Sequence, residues 1–131
     1  MADARPKAER PLSPHLQIYK PSITMTMSIV HRITGGALYV GTILLVAYLL
    51  AVATGGAEYA AAAWFFGSFL GKLILFGYTW ALFHHALGGL RHLIWDTGVG
   101  MEDPVRDQIA LATLIGSVAL TVLTWIVVLT R

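Results

Sequence analysis

The chain has 131 residues, 56% of them hydrophobic and only 12% charged, with a mean hydropathy of +0.69 and a formal net charge of +2. Soluble domains carry about 45–50% apolar and about 25% charged residues, so this composition excludes an ordinary water-soluble domain, and the small net charge shows no nucleic-acid footprint. The absence of cysteine removes both a disulfide framework and a thiolate-held metal cluster from the chain.

Residues 1–27 read as a polar cytoplasmic segment. The first residues lack the apolar core of a signal peptide, and Asp3 and Glu9 argue against an acid-poor organellar presequence. A bacterial inner membrane protein is therefore expected. Three prolines between Arg10 and Pro21 interrupt any regular helix, which suggests an ordered lead-in lying on the membrane surface or on a partner. Residues 28–131 then form the membrane anchor.

The first spanning helix is expected over about 28–53, capped by Thr24, Thr26 or Ser28. A second is expected over about 63–95, after a short connection near 54–62. Its first turns stand in the outer interface, with Trp64 as an anchor and Lys72 snorkelling outward. Gly67 and Gly71 on it make a small-xxx-small pair that permits close helix contact. Asp96-Thr-Gly-Val-Gly ends this helix, with Gly98 and Gly100 as breakers. The third span is expected over about 108–129, with Asp107 as a capping candidate. Each apolar block meets the roughly 20 residues that a helix needs to cross the hydrocarbon core. The expected fold is thus an all-α membrane protein with three transmembrane helices, leaving no room for a soluble catalytic domain.

Basic residues orient it. Arg5, Lys7, Arg10, Lys20 and Arg32 precede or open the first span, and Arg91 and Arg106 flank the second connection, while the first connection has none. The positive-inside rule puts the N-terminus and second connection in the cytoplasm, and the C-terminus in the periplasm.

Ionisable groups at membrane depth are costly and point to function. One cluster is His84, His85, Arg91 and His92; the other is Ser28, His31 and Arg32. His85 and His92 share a face but stand about 10.5 Å apart along the helix, too far to ligate one iron with bonds of about 2 Å. Adjacent His84 and His85 point about 100° apart. His31, near the mouth of the first span, is expected at a different depth from His85. A six-coordinate haem on His85 then needs its second histidine from another polypeptide, which predicts a hetero-oligomeric helix bundle. Gly88 and Gly89 are expected to leave space for a flat macrocycle. Arg91 and His92 would then meet its propionates. Ser28 and Arg32, four apart, suit a quinone whose carbonyl oxygens gain negative charge on reduction. The plainer alternatives are that the histidines and Arg91 pack or snorkel, Ser28 caps the helix and Arg32 marks the cytoplasmic side.

Two runs carry a family resemblance: Arg10-Pro-Leu-Ser-Pro-His-Leu-Gln-Ile-Tyr19 followed by Ser28-Ile-Val-His-Arg-Ile-Thr-Gly35, and His85-Ala-Leu-Gly-Gly-Leu-Arg-His-Leu-Ile-Trp-Asp96. In order and spacing they resemble the signatures of the succinate dehydrogenase cytochrome b family, over essentially the whole chain. The resemblance implies an anchor subunit of succinate:quinone oxidoreductase. It places His85 as axial ligand of a b-type haem and Ser28 and Arg32 at a ubiquinone. His31, Arg32 and His92 fall near the haem propionates. It also implies three partners: a flavoprotein, an iron–sulfur subunit and a second membrane anchor that shares the haem. A fumarate reductase anchor and a haem-free structural anchor are the competing readings. A transporter is disfavoured, since no carboxylate falls inside a span.

Overall fold

The computed structural model describes residue 15 and residues 18–131. The expectations for Asp3, Arg5, Lys7, Glu9 and Arg10, and most of the first motif's opening run, lie outside the described residues. Four helices follow in order: α1 Ile23–Thr54, α2 Gly56–Gly67, α3 Phe69–Asp96 and α4 Val105–Leu129. Three of them, α1, α3 and α4, are long and apolar enough to cross a membrane.

The helix starts differ from those expected, for local reasons. α1 begins at Ile23, because Ser22, with extended backbone, caps it by accepting the Met25 N–H at 3.2 Å. Ser28 is therefore inside the helix and caps nothing. At the far end Gly55, at φ 71°, returns its N–H to the Ala51 carbonyl. The expected connection over 54–62 shrinks to that glycine, since Ala60 to Ala63 are strong helix formers. The single helix expected over 63–95 is instead broken at Ser68. There the backbone is extended, and the Ser68 hydroxyl oxygen accepts the Gly71 N–H at 3.1 Å as the cap of α3. Gly67 and Gly71 flank this elbow, so they do not form one helix stripe. Gly71 packs on the last turn of α2, where an added Cβ would run into the Phe65 carbonyl oxygen.

Between α3 and α4, Gly98 and Gly100 adopt φ of 80° and 76°, a region that L side chains avoid. Trp95 Nε1 donates to the Gly100 carbonyl at 3.0 Å and pins the turn. Pro104 occupies the cap position of α4. Asp107 lies in the first turn instead, where its charge suits the helix dipole.

The packing is inverted relative to a soluble bundle. Among the described residues the buried apolar side chains are Met27, Ala81 and Ala110, whereas Thr34, His84, Arg91, Thr113, Ser117 and Thr121 are buried polar ones. Large aliphatic side chains such as Ile43, Leu50, Leu93 and Leu123 point outward. Lipid gives no drive to bury leucine between helices, so small and hydrogen-bonding residues take the contacts. On α4 these recur as Ala110, Thr113, Ser117 and Thr121, and on α3 as Ala81, His84, Gly88 and Arg91. The helices run antiparallel, with His84 against Ser117 and Thr79 against Trp125.

Candidate functional site

The site lies between α1 and α3. On α3 the spacing of His85 and His92 places both on the face turned to α1, whereas His84 and Arg91, each one residue earlier, are buried on the inward face. The imidazoles of His31 and His85 stack with centroids 4.0 Å apart and planes within 5°. His92 approaches His31 at 5.4 Å and packs edge-on against Trp95. The depth mismatch expected between His31 and His85 is therefore wrong. Because α1 begins at Ile23, His31 sits more than two turns inside it, level with His85. Face-to-face stacking at this distance still leaves the two rings side by side, so they do not address one iron from opposite sides.

Hydrogen bonding sets the state of His85. Its Nδ1 is 3.0 Å from the His31 carbonyl oxygen and 3.4 Å from the Thr34 hydroxyl. A carbonyl oxygen only accepts, so Nδ1 carries the proton and donates; in the neutral ring the lone pair then lies on Nε2. The ring edge rests on α1 where Gly35 has no side chain: a Cβ there would stand 2.8 Å from His85 Cε1. Gly88 does similar service for His31, since an added Cβ there would collide with His31 Nδ1. The space expected over Gly88 for a macrocycle is thus filled by His31. Gly89 has open space beside it, with nothing within 4 Å of where a methyl would stand.

Ser28, His31, Arg32 and Gly35 follow the i, i+3, i+4, i+7 pattern of one helix face. Ser28 is half-buried and Arg32 exposed. Arg91 is only 1% exposed; its guanidinium carbon lies 5.1 Å from the Trp95 ring centroid, and its Nε and Nη1 are buried without partners. His84, wholly buried, meets Ser117 through Nδ1 at 3.3 Å. Its role in the α3–α4 contact separates it from His85, a distinction the adjacent sequence positions leave open. Thr34 escaped the sequence reading, although it lies three residues after His31 and its hydroxyl donates to the His31 carbonyl at 2.9 Å.

Among the described residues, no three His, Cys, Asp or Glu side chains converge to cage a metal ion. Between α1 and α3 the His85 Nδ1 is engaged, which leaves its Nε2 available, and the His31 Nδ1 is buried without a hydrogen-bond partner. An apolar cavity of about 310 Å³ lies further along, lined by Gly41, Leu44, Tyr48, Phe66 and Tyr78, and contains none of these residues.

Residues 6–124 match the family described as succinate dehydrogenase/fumarate reductase transmembrane subunit. A succinate dehydrogenase cytochrome b556 subunit of Paracoccus denitrificans is 46% identical over 127 residues, covering 97% of each chain. The subunit of that name from Rickettsia conorii is 38% identical over 118 residues, covering 90% of this chain and 92% of its own. A mitochondrial succinate dehydrogenase cytochrome b560 subunit of Sus scrofa is 40% identical over 110 residues, covering 82% and 65%. With three apolar helices of spanning length around a polar seam, and with matches along nearly its full length, this chain belongs to the transmembrane cytochrome b subunits of succinate dehydrogenase.

Proposed function

We propose that this chain anchors a succinate:quinone oxidoreductase in the membrane, supplies His85 as one axial ligand of a b-type haem, and contributes Ser28 and Arg32 to a ubiquinone-reduction site. The observation that carries the haem reading is the 3.0 Å bond from His85 Nδ1 to the His31 carbonyl. Metal-bound histidines commonly donate their second nitrogen to a carbonyl, which fixes the tautomer and strengthens the ligating nitrogen. His85 has that arrangement, with open space at Gly89 one turn on. The second axial ligand comes from the other membrane anchor, because His31 is occupied against the face of His85. The two partnerless nitrogens of Arg91, Nε and Nη1, with His31, Arg32 and His92, are donors suited to the haem's carboxylates.

The bound haem supplies a one-electron store; the chain's own part is placement and electrostatics. Arg32 sets a fixed positive charge, and Ser28 an O–H donor, where a quinone oxygen gains negative charge during reduction. Succinate oxidation belongs to the flavoprotein partner, and delivery of electrons to the iron–sulfur partner. The His31–His92 end of the bundle faces the cytoplasm of a bacterial inner membrane, where the soluble subunits dock, and α4 ends on the periplasmic side. The chain by itself is not catalytic.

The test is a dithionite-reduced minus oxidised spectrum of the complex with its native partners, for wild type and His85→Leu. A b-type signal lost or shifted in the variant supports the assignment. An unchanged signal moves the ligand to another residue, and no haem in either preparation favours a purely structural anchor. Succinate-driven against quinol-driven turnover separates the succinate-oxidising reading from a fumarate reductase.

A further inference from the structure

Thr34 is 2% exposed and lies within a span, yet its hydroxyl makes two contacts at once. It donates to the His31 carbonyl at 2.9 Å, and its oxygen stands 3.4 Å from His85 Nδ1. A threonine in an apolar helix often returns its hydroxyl to its own backbone. Here the carbonyl it chooses is also the acceptor of the His85 Nδ1–H, at 3.0 Å. The Nδ1–H therefore sits between two oxygens that share a hydrogen bond, the Thr34 hydroxyl donating to the His31 carbonyl. The next residue, Gly35, closes the arrangement by letting the imidazole lie against the backbone of α1.

We propose that Thr34 is a positioning residue for His85: through the shared His31 carbonyl and its own oxygen it holds the imidazole in the Nε2-ligating orientation and sets the potential of the haem. This rests on the reading of His85 as axial ligand. The sign follows from the hydroxyl dipole. With its hydrogen turned to the His31 carbonyl, the negative oxygen end faces the imidazole. The oxidised haem with its ligand carries more positive charge than the reduced form, so the Thr34 oxygen favours oxidation. Removing it should raise the midpoint potential. Valine has nearly the same shape as threonine and keeps the packing, whereas serine keeps the hydroxyl.

The experiment compares wild type, Thr34→Val, Thr34→Ser and His85→Leu as assembled complexes in mild detergent. Haem content, a potentiometric haem titration and the low-temperature electron paramagnetic resonance spectrum of the oxidised haem are read for each. Thr34→Val is expected to assemble with haem, to titrate at a higher potential and to show shifted g values, reporting a turned imidazole; Thr34→Ser restores both. Loss of haem from an assembled Thr34→Val complex, with retention in Thr34→Ser, supports the same role. A fully haem-loaded Thr34→Val complex with unchanged or lowered potential and wild-type g values overturns it. A wild-type haem signal in His85→Leu sinks the ligand assignment itself, independently of what Thr34 does.

Discussion

At residues 84 and 85 the α3 backbone turns about 100° per residue, so two adjacent imidazoles face different helices. His84 faces α4 and bonds Ser117, whereas His85 faces α1 and bonds the His31 carbonyl. Ser28 and Arg32 are the residues proposed above for the quinone. Arg32→Leu is expected to lower quinone-reductase kcat/KM by about a hundredfold, the usual loss when one donor to a developing oxyanion is removed. Ser28→Ala should have a smaller effect, seen mainly as a raised KM for ubiquinone. Both are checked with a short-chain quinone, against an unchanged rate to a soluble dye that takes electrons upstream, and Ser28→Ala also against an unchanged haem spectrum. His31, Arg32, His85 and His92 were legible as candidates in the sequence because ionisable groups in apolar blocks are conspicuous, whereas Ser28 was picked out by its four-residue spacing from Arg32. The stacking of His31 on His85 was not, since the level of His31 depends on how α1 packs against α3 and on a helix start at Ile23 under the Ser22 cap. Thr34 was illegible for a related reason: threonine in a span is common, and only the tertiary contact distinguishes this one.

Among the elements, the α2–α3 elbow is the piece that sequence periodicity could not reveal. The block from about Ala63 to Trp95 is apolar on nearly every side over its first half, so it has no phase whose slip would betray a break. The break is made by Ser68, whose hydroxyl caps α3, and by Gly71, which admits the Phe65 carbonyl. Ser68→Ala removes the cap and is expected to cost about 1 kcal/mol. Gly71→Ala, which drives a methyl into backbone and not into a flexible side chain, should cost about 1–3 kcal/mol. The thermal unfolding midpoint of the purified complex checks both, with Gly77→Ala, which has open space at its added methyl, as the control expected to be unchanged or slightly stabilised. By contrast, the existence of three spans was plain from block length, and the α3–α4 turn from Gly98 and Gly100. Turn glycines announce themselves locally, whereas a mid-block elbow depends on what packs against it.

For the whole molecule, three crossings put the α1–α2 connection and the α3–α4 turn on opposite sides of the membrane. The absence of native cysteine makes this directly testable. Ala57→Cys, exposed near the start of α2, is expected to react with an impermeant maleimide in spheroplasts. Val99→Cys, 61% exposed in the other turn, should react only after the membrane is opened. The reverse pattern would invert the proposed orientation. Within the bundle, the neighbouring histidines have a further consequence. Turning α3 about its axis by one residue would deliver His84 to the place of His85, an impostor of identical chemistry. Ser117 on one side and the His31 carbonyl on the other act as rotational detents against that slip, each gripping its own imidazole. The pair thereby makes α3 intolerant of a one-residue insertion between its elbow and His84, since such a shift would not abolish a nitrogen at the site but substitute the wrong one, whereas a one-residue deletion would bring Ala86 there and leave no nitrogen at all.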